Sequence, residues 1–451
     1  MPKLRILHAL LVASALLGAG SPKELLKATD QRGAYEVLKS LTQEVGPRLA
    51  GSPQDAAAHA WAAARFKAMG LSAVRTEEVP LGRTWIRGRE EARLGDRILR
   101  VTQMGWTPGT PAPVKAPLAL LPAAKARGDL AEFKGRIVLA GEPLRELDPP
   151  QMQAPLRAGR APKPHADFPM GKALPALIQA GAQAVLMDSG KSGELLTMDG
   201  GAVNTTAPSL PIAFVSHGDY LRLAEAAASG AELELFLGGA FGPAGRTFNT
   251  VAELRGSGKP GECVILGAHL DSWDLATGAM DNGAGVASVM EAARLLIELK
   301  RPPRRTVRFV LFGAEEQGYL GSAAYVASIR KDLGKVSGVF IMDTGGGAVD
   351  GVALQGRRKV APTMLKIVAP LRPLGVVDTD LRMESGTDHI PFHTAGVPAF
   401  CLEQKQHTYA RDHHSEADTL DKVDPAELQQ CAVVMAWLGW KVADLPGLLP
   451  R

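Results

Sequence analysis

The chain has 451 residues, of which 46% are hydrophobic and 22% charged, the usage of a globular protein rather than of a disordered one. Its 51 basic and 47 acidic residues leave a net charge of +4 with no basic block, so nucleic acid and membrane surfaces have no electrostatic support as partners. Three cysteines, Cys263, Cys401 and Cys431, exclude a disulfide framework or a cysteine zinc site and leave room for one disulfide at most.

At the N-terminus, Lys3 and Arg5 precede an apolar run over residues 6–17, and Gly18, Ala19, Gly20 and Ser21 follow. This order of charge, short apolar stretch and small residues predicts a signal peptide over residues 1–20. The run falls short of the ~20 residues that a membrane span needs. An exported, periplasmic or extracellular protein without a membrane span is therefore expected. Residues 22–71 read as helical, with Ala57, Ala60, Ala64, Phe66 and Met69 in a segment that Gly70 stops. Gly46-Pro47-Arg48-Leu49-Ala50-Gly51-Ser52-Pro53 interrupts the helices as a structured loop. Strands are predicted near 73–79 and 98–103.

Between residues 104 and 245, Pro and Gly punctuate short apolar segments at 136–139, 184–187 and 211–214. A helix over 171–180 leads into the second of these, and residues 143–164, rich in Pro and Arg, read as an exposed loop. The stretch holds no convergent cluster of His, Asp and Glu. It is expected to be a small mixed domain inserted into a larger one made of residues 21–103 and 246–451. In the larger domain, strands at 263–266, 306–312, 336–342 and 398–402 alternate with helices at 286–297, 319–333 and 425–442. That alternation predicts an α/β fold with a mixed, largely parallel central sheet flanked by helices.

Ligands of such sheets bind beyond the carboxyl ends of the strands. Here those ends carry His269 and Asp271, then Glu315 and Glu316, then Asp343. Asp281 stands at the start of a long helix, and His413 and His414 fall in a later loop. Singly, each has an ordinary reading: Asp281 as a helix cap, Glu315 and Glu316 as solvated charges, His269 as a core histidine, Asp343 as a turn residue. Jointly, two histidines and three carboxylates at one edge suit zinc, which takes imidazole nitrogen and carboxylate oxygen. One bridging carboxylate would give the two-metal arrangement of aminopeptidases and phosphatases. Of the adjacent pair Glu315 and Glu316, one can then ligate and the other act as base.

These residues carry a resemblance. His269-x-Asp271, Asp281-Asn282, Glu315-Glu316, Asp343 and His414-Ser415-x-x-Asp418-Thr419 resemble the co-catalytic zinc exopeptidase family, which includes bacterial leucyl aminopeptidases and glutamate carboxypeptidase. Gly46-Pro47-Arg48-Leu49-x-Gly51-Ser52 is similar to that family's N-terminal signature. His269-Leu270-Asp271-Ser272-Trp273-Asp274 is most similar to the plasma glutamate carboxypeptidase branch, carboxypeptidase Q. Residues 104–245 resemble the protease-associated domain inserted in that branch.

The resemblance implies two zinc ions per chain, with His269 and Asp343 on one, Glu316 and His414 on the other, and Asp281 between them. It implies Glu315 as general base and Asp271 as the group that orients His269. His413 stands where the family's glutamate carboxypeptidase has a Tyr, and is expected to contact the oxyanion or substrate. The expected activity is hydrolysis of short peptides by a metal-held hydroxide, as an aminopeptidase or dipeptidase, with carboxypeptidase action as the alternative. Glutaminyl cyclase and a non-enzymatic binding protein are the non-hydrolytic alternatives, and the filled ligand set speaks against both. The resemblance is also compatible with a homodimer.

Overall fold

The computed structural model describes residues 21–145, 147, 148, 168–201, 203 and 209–451. The expected signal peptide, and most of the exposed loop expected at 143–164, lie outside them. Among the described residues, no helix is long and apolar enough to cross a membrane.

Eight strands form the central sheet: β1 (Ser72–Leu81), β2 (Gly245–Leu254), β3 (Lys259–His269), β4 (Arg305–Phe312), β5 (Val336–Met342), β6 (Val349–Ala353), β7 (Asp378–Asp380) and β8 (Ala399–Gln404). Their order across the sheet is β1-β2-β4-β3-β5-β8-β6-β7. The four inner strands β4, β3, β5 and β8 run parallel, while β1, β2 and β6 join antiparallel, so the sheet is mixed. Parallel strands are covered on both faces, which is why β5 is buried at every position and β3 from Cys263 onward.

The period of two decides which layer each side chain enters. Val264, Leu266, Phe309, Leu311, Phe340 and Met342 face one side, against α1 (Gly33–Ser40), α2 (Pro53–Ala68), α3 (Ala284–Glu298) and α5 (Pro425–Ala443). Their neighbours Cys263, Ile265, Val310, Phe312 and Ile341 face the other side, with Tyr325 of α4 (Leu320–Ser328) and Phe392. Local signals place the helix starts. Ser52 accepts from the Asp55 N–H ahead of α2, and Asp424 accepts from Ala426 and Glu427 ahead of α5, each with Pro at the first helical position.

A second eight-stranded sheet with its own core is built from strands between residues 90 and 237. This corrects the expected boundary at 103/104. Glu90–Leu94 pairs with Glu232–Leu237, and Val101–Gln103 pairs with Ile212–Val215, so residues 90–103 belong to the second lobe. All three cysteines are free and buried. Cys401 and Cys431 form no disulfide, and Cys431 Sγ lies 3.3 Å from the Gly347 carbonyl oxygen.

Gly439 lets α5 lie close on the sheet, since a Cβ there would come within 2.8 Å of Leu266 Cδ1, in a fully buried side chain. Gly439→Leu should overpack this contact and cost about 1–3 kcal/mol in denaturant unfolding; an unchanged midpoint would contradict the packing described.

Candidate metal centre

The inner parallel strands deliver their following residues to one edge. His269 ends β3, Asp343 follows β5 directly, and Glu315 and Glu316 lie in the turn after β4. Asp281 sits in the tight segment before α3, and the Asp281–Asn282 peptide is cis. His414 comes from the loop after β8, following a single helical turn at Tyr409–Asp412.

These side chains form two clusters with a shared member. His269, Asp281 and Asp343 make one, and Asp281, Glu316 and His414 make the other. His269 Nε2 lies 3.1 Å from Asp281 Oδ1 and 3.2 Å from Asp343 Oδ1. His414 Nε2 lies 3.2 Å from Asp281 Oδ2 and 3.0 Å from Glu316 Oε2. Asp281 thus turns one oxygen to each imidazole. His269 Nδ1 lies 3.0 Å from the Asp271 carbonyl oxygen and donates to it, so Nε2 faces the two carboxylates with its lone pair. Lone pairs converge in this way only around a proton or a cation. Glu316 Oε1 is buried with no protein partner, a further coordination oxygen with nothing to satisfy it. The donor set fits zinc, and the two overlapping clusters are consistent with a binuclear zinc site.

The electrostatics say the same. Burial and nearby acids push Asp343 up to about 8, and burial raises Glu316 and, much further, Glu315. Burial opposes charge on Asp281 too, yet the bonds from His269 and His414 hold it well below the usual carboxylate range. Those imidazoles, although buried, are raised well above their ordinary value by the carboxylates facing them. Without a metal the cluster therefore stores protons, and a cation would expel them.

Several residues outside the expected ligand set hold this geometry. Asp418 accepts from the N–H groups of Met280 (2.6 Å) and Asp281 (3.1 Å), which fixes the shared carboxylate. Asn282 donates to the Met342 carbonyl at 2.8 Å and accepts from Gly285 N–H at 2.9 Å, tying Asp281 to the end of β5. Arg48 is fully buried and donates to the carbonyls of Gly46, Leu270, Thr277 and Gly278. It pins the loop between His269 and Asp281. Asp418 and Arg48 both lie in the sequence motifs noted above, but their partners are backbone groups, which a motif does not name.

Asp271 and His413 are each engaged by backbone groups. Asp271 meets His269 Nδ1 with both its carbonyl (3.0 Å) and its carboxylate (3.5 Å), and the carboxylate also accepts from the N–H groups of Glu315 (3.1 Å) and Glu316 (3.3 Å). His413 stacks on Tyr409 at 4.6 Å and its Nδ1 lies 2.5 Å from the Tyr409 carbonyl oxygen. Burial and the neighbouring His414 and Lys191 push it down to about 3. In the neutral ring the Nδ1–H is engaged by that carbonyl and Nε2 carries a lone pair. Burial and the carboxylates of Glu315, Asp343 and Asp388 raise the phenol of Tyr319, which sequence reasoning did not single out, above its ordinary value. Its backbone is left-handed, with φ 61°, at the start of α4.

An α/β sheet whose strand ends hold two His and carboxylate clusters that share one Asp defines the class: a two-metal hydrolase. The sequence profile of peptidase family M28 matches residues 249–438. Carboxypeptidase Q of Mus musculus is 32% identical, over 93% of this chain and 88% of that protein. The crystal structure of a peptidase M28 precursor from Shewanella amazonensis superposes with a TM-score of 0.84 at 29% identity, covering 95% of this chain and 97% of the other. BSAP, a zinc aminopeptidase from Bacillus subtilis, shares the fold with a TM-score of 0.68 at 21% identity, covering 90% and 93%. The chain belongs to peptidase family M28.

The stored protons predict a pH signature for protein stripped of metal by a chelator. Asp343 (about 8), Asp388 (about 7), Asp418 (about 7) and the two raised imidazoles bind more protons folded than unfolded between pH 6.5 and 8. Stability must then fall as pH rises through that window. His413 and His389, lowered to about 3 and about 4, oppose this slope near pH 6.5, and Lys191, lowered to about 8, opposes it near pH 8, so the fall is steepest in the middle of the window. Thermal melts should show Tm of the chelated protein falling from pH 6.5 to 8 while the gap to the zinc-loaded protein widens. A constant gap would contradict the proton store.

Proposed function

We propose that this chain is an exported two-zinc exopeptidase that hydrolyses short peptides. His269 and Asp343 would hold one zinc, Glu316 and His414 the other, with Asp281 between them. The observation that carries the reading is the Asp281 carboxylate divided between two imidazoles. When bound, zinc supplies Lewis acidity toward the scissile carbonyl and acidifies a water toward neutrality. Glu315, whose proton affinity burial raises, would take the proton of the attacking water and return it to the leaving amine. The Asp271 carboxylate fixes the backbone of Glu315 and faces His269 Nδ1, which supports it as the group that positions both. The Tyr319 hydroxyl, close enough to Glu315 and Asp343 to feel their charge, is read as a donor to the developing oxyanion beside the expected His413.

For the end of the peptide attacked, the relatives favour the alternative over the main expectation. Carboxypeptidase Q is 32% identical over most of both chains, while the zinc aminopeptidase BSAP shares the fold at 21% identity. Release of a C-terminal residue therefore takes precedence over amino-terminal or dipeptide trimming. The leader-like pattern at Lys3, Arg5 and residues 6–17 supports export. The second lobe, with its own sheet and core, is read as protease-associated-like.

Peptides blocked at one end test the direction. N-acetylated peptides should release their C-terminal residue and C-amidated ones should not. The reverse pattern would restore the aminopeptidase reading, and cleavage of free dipeptides alone would make the protein a dipeptidase. Glu315→Gln should lower kcat by about 10²–10⁴-fold while metal analysis still finds two zinc ions, and near-normal turnover would overturn the base assignment. Tyr319→Phe should cost about 10²–10³-fold in kcat with little change in KM if its hydroxyl meets the oxyanion, and an unchanged kcat would remove it from the mechanism.

A further inference from the structure

Four of the five metal-cluster residues are fixed by the central sheet and its adjoining turns. His414 is not. It sits with φ 54° in the loop after β8, and its side chain is 30% exposed against 1% for His269. Asp418 ties the far end of its loop to the Met280 and Asp281 N–H groups, and the residues beside His414 are held by the second lobe. Met198 N–H donates to the His414 carbonyl at 2.6 Å, and Thr197 Oγ1 donates to the same oxygen at 3.2 Å. Thr197 and Ser415 form an isolated antiparallel bridge, Leu196 N–H donates to Glu416 Oε1 at 3.1 Å, and Arg100 pairs with the same carboxylate.

Lys191 completes the contact. It is 4% exposed, and its ammonium donates to the carbonyls of Ala410 (2.6 Å) and His413 (3.1 Å). These carbonyls lie at the C-terminal end of the Tyr409–Asp412 turn, where a cation meets acceptors that the short helix leaves free. Burying an ammonium is costly, so it stays only where such acceptors are held against it. The imidazole is supported from a second direction as well. Trp273 packs edge-on against His414 at 6.0 Å and is itself backed by Trp106 of the second lobe at 6.1 Å. Gly200 lies so close behind it that a Cβ would come within 2.6 Å of the Trp273 ring.

We infer that the second lobe is a working part of the metal centre: through Lys191, Thr197 and Met198 it holds His414 in ligating position. The lobe thereby sets the affinity of the Glu316–His414 half-site and leaves the His269–Asp343 half-site to the sheet. Lys191 is a positioning residue on this account, acting on the loop and not on substrate. The inference rests on the two-zinc reading above.

The test is a chelator titration of the full-length zinc-loaded protein and of Lys191→Met, with released zinc measured by a chromogenic indicator. Loss of a second-sphere support typically weakens metal binding by about 10–100-fold. One zinc of Lys191→Met should leave at a free-chelator level lower by that factor, and the other should leave with the wild-type midpoint. His414→Ala and His269→Ala identify the two sites, and the absorption of the cobalt-substituted Lys191→Met protein should approach that of His414→Ala. Both ions leaving with wild-type midpoints, or both weakened alike, would overturn the inference. Should Lys191→Met fail to fold, Thr197→Val gives the same readout: a selective, smaller loss at the His414 half-site supports the inference and an unchanged titration overturns it. A wild-type protein that binds no zinc would instead refute the two-zinc reading.

Discussion

Asp281 presents one carboxylate oxygen to His269 at 3.1 Å and the other to His414 at 3.2 Å, and most of the surrounding structure serves that division. A buried carboxylate flanked by further acids is expensive, and a fold that kept it only for stability would do better with apolar residues. Here Asp418 holds the Asp281 backbone, Asn282 ties it to β5, and Arg48 fixes the loop on the other side. The strain of gathered negative charge is what gives the site its affinity for a dication, because protons and metal compete for the same oxygens.

The sheet provides this geometry economically. Parallel inner strands all point their carboxyl ends the same way, so residues far apart in the chain arrive at one edge. His269 and Asp343 need only be the last residue of β3 and the first after β5 to meet at 3.2 Å. The outer wall lacks such a scaffold, and there the second lobe contributes the contacts to residues 410–416. Insertion of one lobe within the other thus places chain segments from both on either side of the same pair of imidazoles.

Continuous apolar runs made the inner strands legible, because a strand covered on both faces has no polar face to alternate with. The edge was harder. Asp378–Asp380 is a polar strand and Val349–Ala353 is interrupted by Gly351, so neither carries a pattern that separates strand from turn. The lobe boundary is not legible because residues 90–103 look like any short strands, and which sheet they join depends on partners more than a hundred residues away. The cluster members were legible as residue types at strand ends. The groups that position them were not, since Arg48, Asp418 and Lys191 act on backbone carbonyls or N–H groups, and no spacing rule encodes those. His413 illustrates the limit: its role turns on which ring nitrogen is engaged, and only the Tyr409 carbonyl decides that.

The central claim is that Asp281 bridges two metal ions. Anomalous X-ray scattering from crystals of the zinc-loaded protein, measured across the zinc edge, tests it most directly. The account predicts two peaks, one among His269, Asp281 and Asp343 and the other among Asp281, Glu316 and His414. A single peak, or zinc bound away from Asp281, would contradict it.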